Sequence, residues 1–146
     1  MAKALVSACL VGCACRFDGR DKRAAALLDA LARAGVEAVP FCPEEAGGLG
    51  TPRPPATLVG GDGEAVLDGH ATVVAEGGRD VTAQFVEGAR LAVERARSEG
   101  CDIAYLKERS PSCGCAQVHT NEGVRRGSGV TAALLRRNGI PTVSVD

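Results

Sequence analysis

Two short apolar runs, Ala4–Leu10 and Val36–Phe41, flank an Ala/Leu-rich stretch at Arg23–Ala34, and this triplet constrains the fold more than any other feature. In the middle stretch Ala24, Leu27, Leu28, Leu31 and Ala32 recur at helical spacing, and Gly35 stands just past the end, where glycine commonly stops a helix. A strand–helix–strand unit of this kind closes as a right-handed parallel crossover in nearly all cases. Asp80 is a candidate N-cap for a second helix, with Val81, Phe85, Ala89, Ala92, Val93 and Ala96 on one face and Gly100 at its end. Asp102–Lys107 reads as a third strand and Arg109–Gly127 as a long polar loop. Ser128 is a candidate cap for a last helix reaching Asn138, and Ile140–Val145 is a final strand.

The stretch Cys42–Pro55 is dense in proline and glycine and is expected to lack regular structure. Short apolar pieces at Thr57–Val59, Ala65–Leu67 and Thr72–Val74, separated by Gly- and Asp-rich turns, read as a small β-hairpin excursion on the edge of the sheet. The expected fold is a compact three-layer, Rossmann-like α/β domain with a mainly parallel sheet, one domain over residues 1–146.

The chain holds seven cysteines, an odd number, so a complete set of internal disulfides is impossible. Cysteine in a reducing compartment more often means metal binding or catalysis. Val6-Ser7-Ala8-Cys9 has the look of a lipoprotein cleavage box, but only five residues precede Val6, too few for a signal peptide. No run approaches a membrane span, so a cytoplasmic protein with no membrane partner is expected. A net charge of −1 supplies no global field toward a polyanion, and with no Trp and one Tyr there is no stacking platform for nucleic acid, so no DNA partner is expected.

In open parallel sheets ligands gather beyond the carboxyl ends of the strands. Cys9 ends the first strand, Cys42 ends the second, and Cys113 falls in the loop after the third. Thiolate suits both iron–sulfur clusters and zinc, and this pattern does not separate the two. Cys13-Ala14-Cys15 and Cys113-Gly114-Cys115 are C-x-C pairs, which argues against a zinc ribbon or a thioredoxin-type site. The plainer alternative is buried cysteines acting as small hydrophobes.

Ordered motifs run through the chain: Ser7-Ala8-Cys9-Leu10-x-Gly12, Cys15-Arg16-Phe17-Asp18-Gly19, Cys42-Pro43-Glu44, Gly47-Gly48-Leu49, Thr51-Pro52-Arg53, Asp80-Val81-Thr82, Lys107-Glu108-x-Ser110-Pro111-Ser112-Cys113-Gly114 and Gly129-Val130-Thr131-Ala132. Together they closely resemble the thiouracil desulfidase family, over nearly the whole chain. The resemblance implies a 4Fe-4S cluster on three cysteines, here Cys9, Cys42 and Cys113, with Cys15 a further candidate. It also implies non-redox desulfuration of thiouracil or 4-thiouridine monophosphate to uracil or UMP and sulfide. By the same resemblance, the substrate sulfur is expected to bind the iron that has no protein ligand, with water replacing it on the base.

Glu44 matches the acidic residue of the family motif and is the candidate proton carrier. Its alternative is a solvated loop glutamate, a role better suited to Glu45. Ser110 and Ser112 are candidate catalytic hydroxyls or merely shape the turn at Pro111. Lys107, Arg53, Ser128 and Gly129 are candidate substrate contacts, the last two as a helix N-terminus for a phosphate, with Arg125 and Arg126 as further charge. Asp18 is functional or an Asp-Gly turn, and His70 and His119 are expected at the surface.

Phe17 stands where the family commonly has tyrosine, Thr57 where it has an acid, and Cys115–Gly127 departs from its usual loop. The expected partner is a small thiolated nucleobase or nucleotide, transfer RNA being the lesser expectation, and the protein is expected to be a monomer or small homo-oligomer. The competing readings are a non-enzymatic iron–sulfur or metal-binding protein, and a phosphate-binding α/β domain with structural cysteines.

Overall fold

A computed structural model describes residues Ala2 to Asp146. Four parallel strands form the central sheet: β1 (Ala2–Ser7), β2 (Val36–Phe41), β5 (Cys101–Lys107) and β8 (Thr142–Val145), in the order β2-β1-β5-β8. Successive side chains of β1 face opposite ways, as strand geometry dictates. Ala4 and Val6 join Leu31 of α1 (Ala25–Arg33) on one face. Leu5 joins Ala104 and Leu106 of β5 on the other, beneath α4 (Thr82–Glu99) and α5 (Val130–Arg137). This is the three-layer α/β arrangement with a mainly parallel sheet that the alternation of elements implies.

The excursion is larger than the sequence indicates. β3 (Ala56–Val59) and β4 (Thr72–Ala75) pair antiparallel, then join β6 (Gln117–Thr120) and β7 (Gly123–Arg126) in a second sheet of order β4-β3-β6-β7. The polar loop read over 109–127 therefore contains a hairpin. Its strands escape detection because only Val118 points into a core, while all four residues of β7 are exposed. Ala65–Leu67 is also not a strand. It lies in α3 (Gly63–Leu67), whose first turn is capped by Asp62 accepting from the Ala65 N–H at 3.2 Å.

The long helix α4 joins the two sheets. Its first half places Phe85 and Ala89 against Leu58, Val73 and Val118 of the second sheet. Its second half places Ala92, Val93 and Ala96 on the parallel sheet. Asp80 accepts from the Thr82 N–H at 2.9 Å, one residue ahead of the helix N-cap at Val81. The proline-rich stretch after β2 contains one helical turn, α2 (Pro43–Ala46), with Pro43 at its start, where a missing N–H costs nothing. Gly47 and Gly88 let this turn lie backbone-to-backbone on α4: a Cβ at Gly88 would collide with the Pro43 carbonyl, and one at Gly47 with the Gln84 carbonyl. That close approach fixes the residues on either side of Pro43. Among the described residues no helix is long and apolar enough to cross a membrane.

Candidate active site

The carboxyl ends of β2, β1 and β5 are neighbours in the sheet and open onto one cavity of about 460 Å³. Cys9 lies in the 3₁₀ turn Ala8–Val11 that follows β1, so the first strand ends three residues earlier than the apolar run suggests. Cys42 follows β2 directly, and Cys113 lies in the turn after β5. All three line the cavity, as the topology predicts, and Cys15 from the stretch between Gly12 and Ala24 joins them. The other three are elsewhere: Cys13 is exposed, Cys101 opens β5 at the far end of the strand, and Cys115 packs in the core with Leu106 and Ala132.

The Cys15 thiol shares the cavity with those of Cys9 and Cys42, and the Cys42 thiol donates to the Cys15 carbonyl at 3.8 Å. Interaction with Cys42 lowers the Cys15 pKa, but interaction with Cys9 and burial outweigh this and push it up to about 12. The Cys15 thiol and burial likewise raise Cys42. Burial raises Cys113 to about 12, against the opposing effect of the Ser7 and Ser112 hydroxyls. These thiols hold their protons at neutral pH, so a bound metal must displace them.

The turn bearing Cys113 is gripped from two sides. On one side the free N–H groups at the start of α5 are consumed by it. Val130 N donates to Pro111 O at 3.0 Å, Thr131 N to Ser112 O at 2.8 Å and Gly129 N to Gly114 O at 2.7 Å. The expected phosphate site at Ser128 and Gly129 is thereby corrected: neither lines the cavity, and the helix N-terminus is already occupied by carbonyls. Gly129 packs on the Ser112 backbone where a Cβ would collide, and the Ser128 hydroxyl accepts from Arg136 Nη1 at 2.6 Å. The N-cap of α5 is Gly129, not Ser128.

On the other side stands Glu108, which the sequence reading did not single out. Its Oε1 accepts from the N–H groups of Cys115 at 2.7 Å, Arg109 at 3.2 Å and Ala116 at 3.2 Å, while Oε2 accepts from the Ser144 hydroxyl at 2.7 Å. Burial works to raise this carboxyl, yet the Ser144 hydroxyl and the backbone donors prevail and hold it at about 2. A buried carboxylate with these donors acts as a template for the loop. Its only sequence signal is its place beside Lys107 in the motif.

Glu44 and both serines meet at the cavity wall. Ser112 Oγ donates to Glu44 Oε2 at 2.9 Å, lies 3.0 Å from Ser110 Oγ and reaches Cys113 Sγ at 3.7 Å. Ser110 Oγ in turn accepts from the Cys113 N–H at 3.1 Å. Arg53 Nε donates to Glu44 Oε1 at 3.0 Å, and with side chains only 8% and 15% exposed the pair is largely shielded from water. Glu44 is thus not a solvated loop residue.

Arg53 lines the cavity, but its guanidinium is directed at protein. Nη1 donates to Gly50 O at 3.1 Å and Nη2 to Cys15 O at 3.0 Å. It ties the segments of Cys15, Cys42 and Gly50 together.

The rim is cationic. Lys107, Arg16, Lys22 and Arg109 all line it. Burial lowers the Lys107 ammonium, and the charges of Arg109 and Arg16 lower it further. Phe17, Thr57 and His119 complete the mouth, so His119 is exposed but faces the cavity. Arg125 and Arg126 lie on the exposed strand β7, outside the lining, and Asp18 accepts from the Arg20 N–H in an exposed turn.

Thiols from separate loops, converging where parallel strands end, define a protein built to hold a thiolate-bound metal cofactor in a three-layer α/β fold. The donor set fits an iron–sulfur cluster: a polynuclear group takes its thiolates from separate points around a cavity, and Cys9, Cys42 and Cys113 stand in the segments that follow three separate strands. Among the described residues, no three His, Cys, Asp or Glu side chains are grouped to ligate a single ion.

A sequence profile described as 2-thiouracil desulfurase matches residues 4–146, and the chain belongs to that family. It is 42% identical to the uncharacterized protein YbbK of Bacillus subtilis (strain 168), over 96% of this chain and 93% of that protein. It is 45% identical to a solved structure of the [4Fe-4S]-dependent thiouracil desulfidase TudS, covering 99% of this chain and 91% of that one, with a TM-score of 0.83.

Proposed function

We propose that this protein is a cluster-dependent desulfidase that converts a thiolated uracil and water into uracil and hydrogen sulfide. The carrying observation is the juxtaposition of Cys9, Cys42 and Cys113 on one cavity with the Glu44–Ser112 hydrogen bond on its wall. Cys9, Cys42 and Cys113 hold the cluster. When bound, it supplies an iron without a protein ligand, a Lewis acid suited to a soft thiocarbonyl sulfur.

The remaining chemistry is proton transfer, because one water enters and one hydrogen sulfide leaves with no change of oxidation state. Glu44 takes a proton from the attacking water and returns it to the departing sulfur. Arg53 holds one carboxylate oxygen in place while the Ser112 hydroxyl bonds the other, so the basic oxygen is oriented before substrate arrives. Ser110 keeps the Ser112 hydroxyl and the Cys113 backbone in register.

The cavity suits a free nucleotide rather than a transfer RNA. Its volume is in the range of small-molecule sites. The rim cations Lys107, Arg16, Lys22 and Arg109 favour a phosphate, and Phe17 offers an aromatic face to the base. Of free thiouracil and 4-thiouridine monophosphate, the latter uses the whole site.

The test is anaerobic incubation of cluster-loaded protein with each compound. Sulfide release with loss of the thiocarbonyl absorbance supports the proposal, with the nucleotide turned over at lower KM. Iron present but no sulfide from either compound would leave a non-enzymatic iron–sulfur protein.

A further inference from the structure

Three serines line the cavity, and two of them spend their hydrogens within the protein. Ser112 donates to Glu44. The Ser110 oxygen accepts from the N–H groups of Ser112 and Cys113, and its own hydrogen has the Ser112 oxygen at 3.0 Å. Ser7 differs. Its Oγ accepts from the Lys107 N–H at 3.0 Å, and among the described residues it donates no hydrogen bond. It is 4% exposed, so bulk water does not satisfy it, and a buried donor without an acceptor is costly.

Its place in the sheet says which acceptor fits. Ser7 is the last residue of β1, the strand that lies between β2 and β5. On one side it pairs with Phe41, which precedes Cys42. On the other its hydroxyl is bonded to the end of β5, the strand that leads to Cys113. Cys9 follows two residues on. Ser7 therefore stands between the strand ends that lead to all three proposed ligands, and it lines the cavity they share. Thr131 Oγ1 is also buried without a partner among the described residues, but Thr131 does not line the cavity.

We propose that Ser7 donates its free hydrogen to a sulfur of the iron–sulfur cluster and so tunes the cofactor. This rests on the desulfidase reading above. Hydrogen bonds to cluster sulfurs withdraw electron density and raise the reduction potential. The same withdrawal makes the open iron a stronger Lewis acid toward a thiocarbonyl sulfur, with no electron transferred. The bond from Lys107 N fixes the hydroxyl oxygen, so the donor is in place before substrate arrives.

The test compares anaerobically reconstituted wild-type, Ser7→Ala, Ser7→Thr and Thr131→Val proteins. Two properties of the cluster are read: its reduction potential, and the shift of its iron–sulfur Raman bands on transfer from ordinary to heavy water. At equal iron content, Ser7→Ala is expected to show a lower potential, a smaller heavy-water shift and a severalfold lower kcat/KM for 4-thiouridine monophosphate. Ser7→Thr, which keeps the hydroxyl, and Thr131→Val are expected to keep the wild-type potential and bands. Potential and bands unchanged in cluster-loaded Ser7→Ala would overturn the proposal while leaving the desulfidase reading intact, because a purely structural serine moves neither. An equal drop of potential in Thr131→Val would also overturn it. Should Ser7→Ala hold no cluster, the other two proteins decide: wild-type bands that ignore heavy water overturn the proposal, and bands that shift equally in wild type and Ser7→Thr support it. Wild-type protein that takes up no iron would overturn the desulfidase reading itself, and this proposal with it.

Discussion

The turn that carries Cys113 and the stretch that carries Cys15 face the same cavity but are held by different means. The first is buried from Ser112 through Cys115, bonded to the Glu108 carboxylate on one side and to the α5 backbone on the other. The second is mostly exposed. It is tied down at its ends, where Lys22 N donates to Cys9 O at 2.9 Å and Ala24 N to Leu10 O at 2.8 Å, and in its middle by Arg53. A segment with few buried contacts opens at lower free energy than one bonded into the core. The molecule therefore pairs a wall bonded into the core, which fixes Cys113 and the Ser110 and Ser112 hydroxyls, with a more exposed wall that carries Cys15.

The largest test of this contrast is removal of a ligand from the fixed wall. Cys113→Ala is expected to abolish iron binding and turnover, as is Cys42→Ala at the end of β2, whereas Cys13→Ala retains both; iron analysis of the purified variants decides. Next is Glu44→Gln, which keeps the shape but loses the proton carrier. It is expected to retain the cluster spectrum and lose ~10²–10⁴-fold in kcat. Full activity in a cluster-loaded Glu44→Gln protein would remove Glu44 from the mechanism.

Glu108→Ala strips the fixed wall of its template and leaves buried N–H groups unpaired. A loss of ~2–4 kcal/mol in unfolding free energy is expected from denaturant titration. The pH dependence follows from the same carboxylate. Its pKa falls from the ordinary 4.5 to about 2 on folding, so its stabilisation is complete above pH 4.5 and is lost as pH falls toward 2. Glu108→Gln should flatten that part of the stability profile, and an unchanged acid slope would show that Glu108 does not supply it. The smallest effect belongs to the more exposed wall. Asp18→Ala removes one exposed turn bond and should shift stability by no more than ~0.5 kcal/mol. A large activity loss there would give Asp18 the functional role that its place in the motif suggests.

The parts of this architecture legible in the sequence are those set by apolar periodicity. The bounds of β2 are those of the run Val36–Phe41, and the face of α4 is the stripe from Val81 to Ala96. Parallel topology then brings three distant cysteines to one cavity. What stayed hidden depends on tertiary partners. β6 and β7 carry one apolar residue each, and only Val118 turns inward, so neither shows an apolar period. Arg53 reads as a free cation until its partners, Glu44 and the Cys15 carbonyl, are in place. Glu108 resembles any charge after a strand, because its burial is created by the loop it organises. Ser128 and Gly129 form a plausible anion site in isolation, but the Cys113 turn occupies it first.

The central claim is that Cys9, Cys42 and Cys113 hold an iron–sulfur cluster here. Iron and acid-labile sulfide per chain, measured on anaerobically reconstituted wild-type protein, test it most directly. The account predicts four of each, matching the [4Fe-4S] cofactor of its structural relative, and their loss when any of the three cysteines is replaced. Wild-type protein that remains free of iron and sulfide after reconstitution would contradict it.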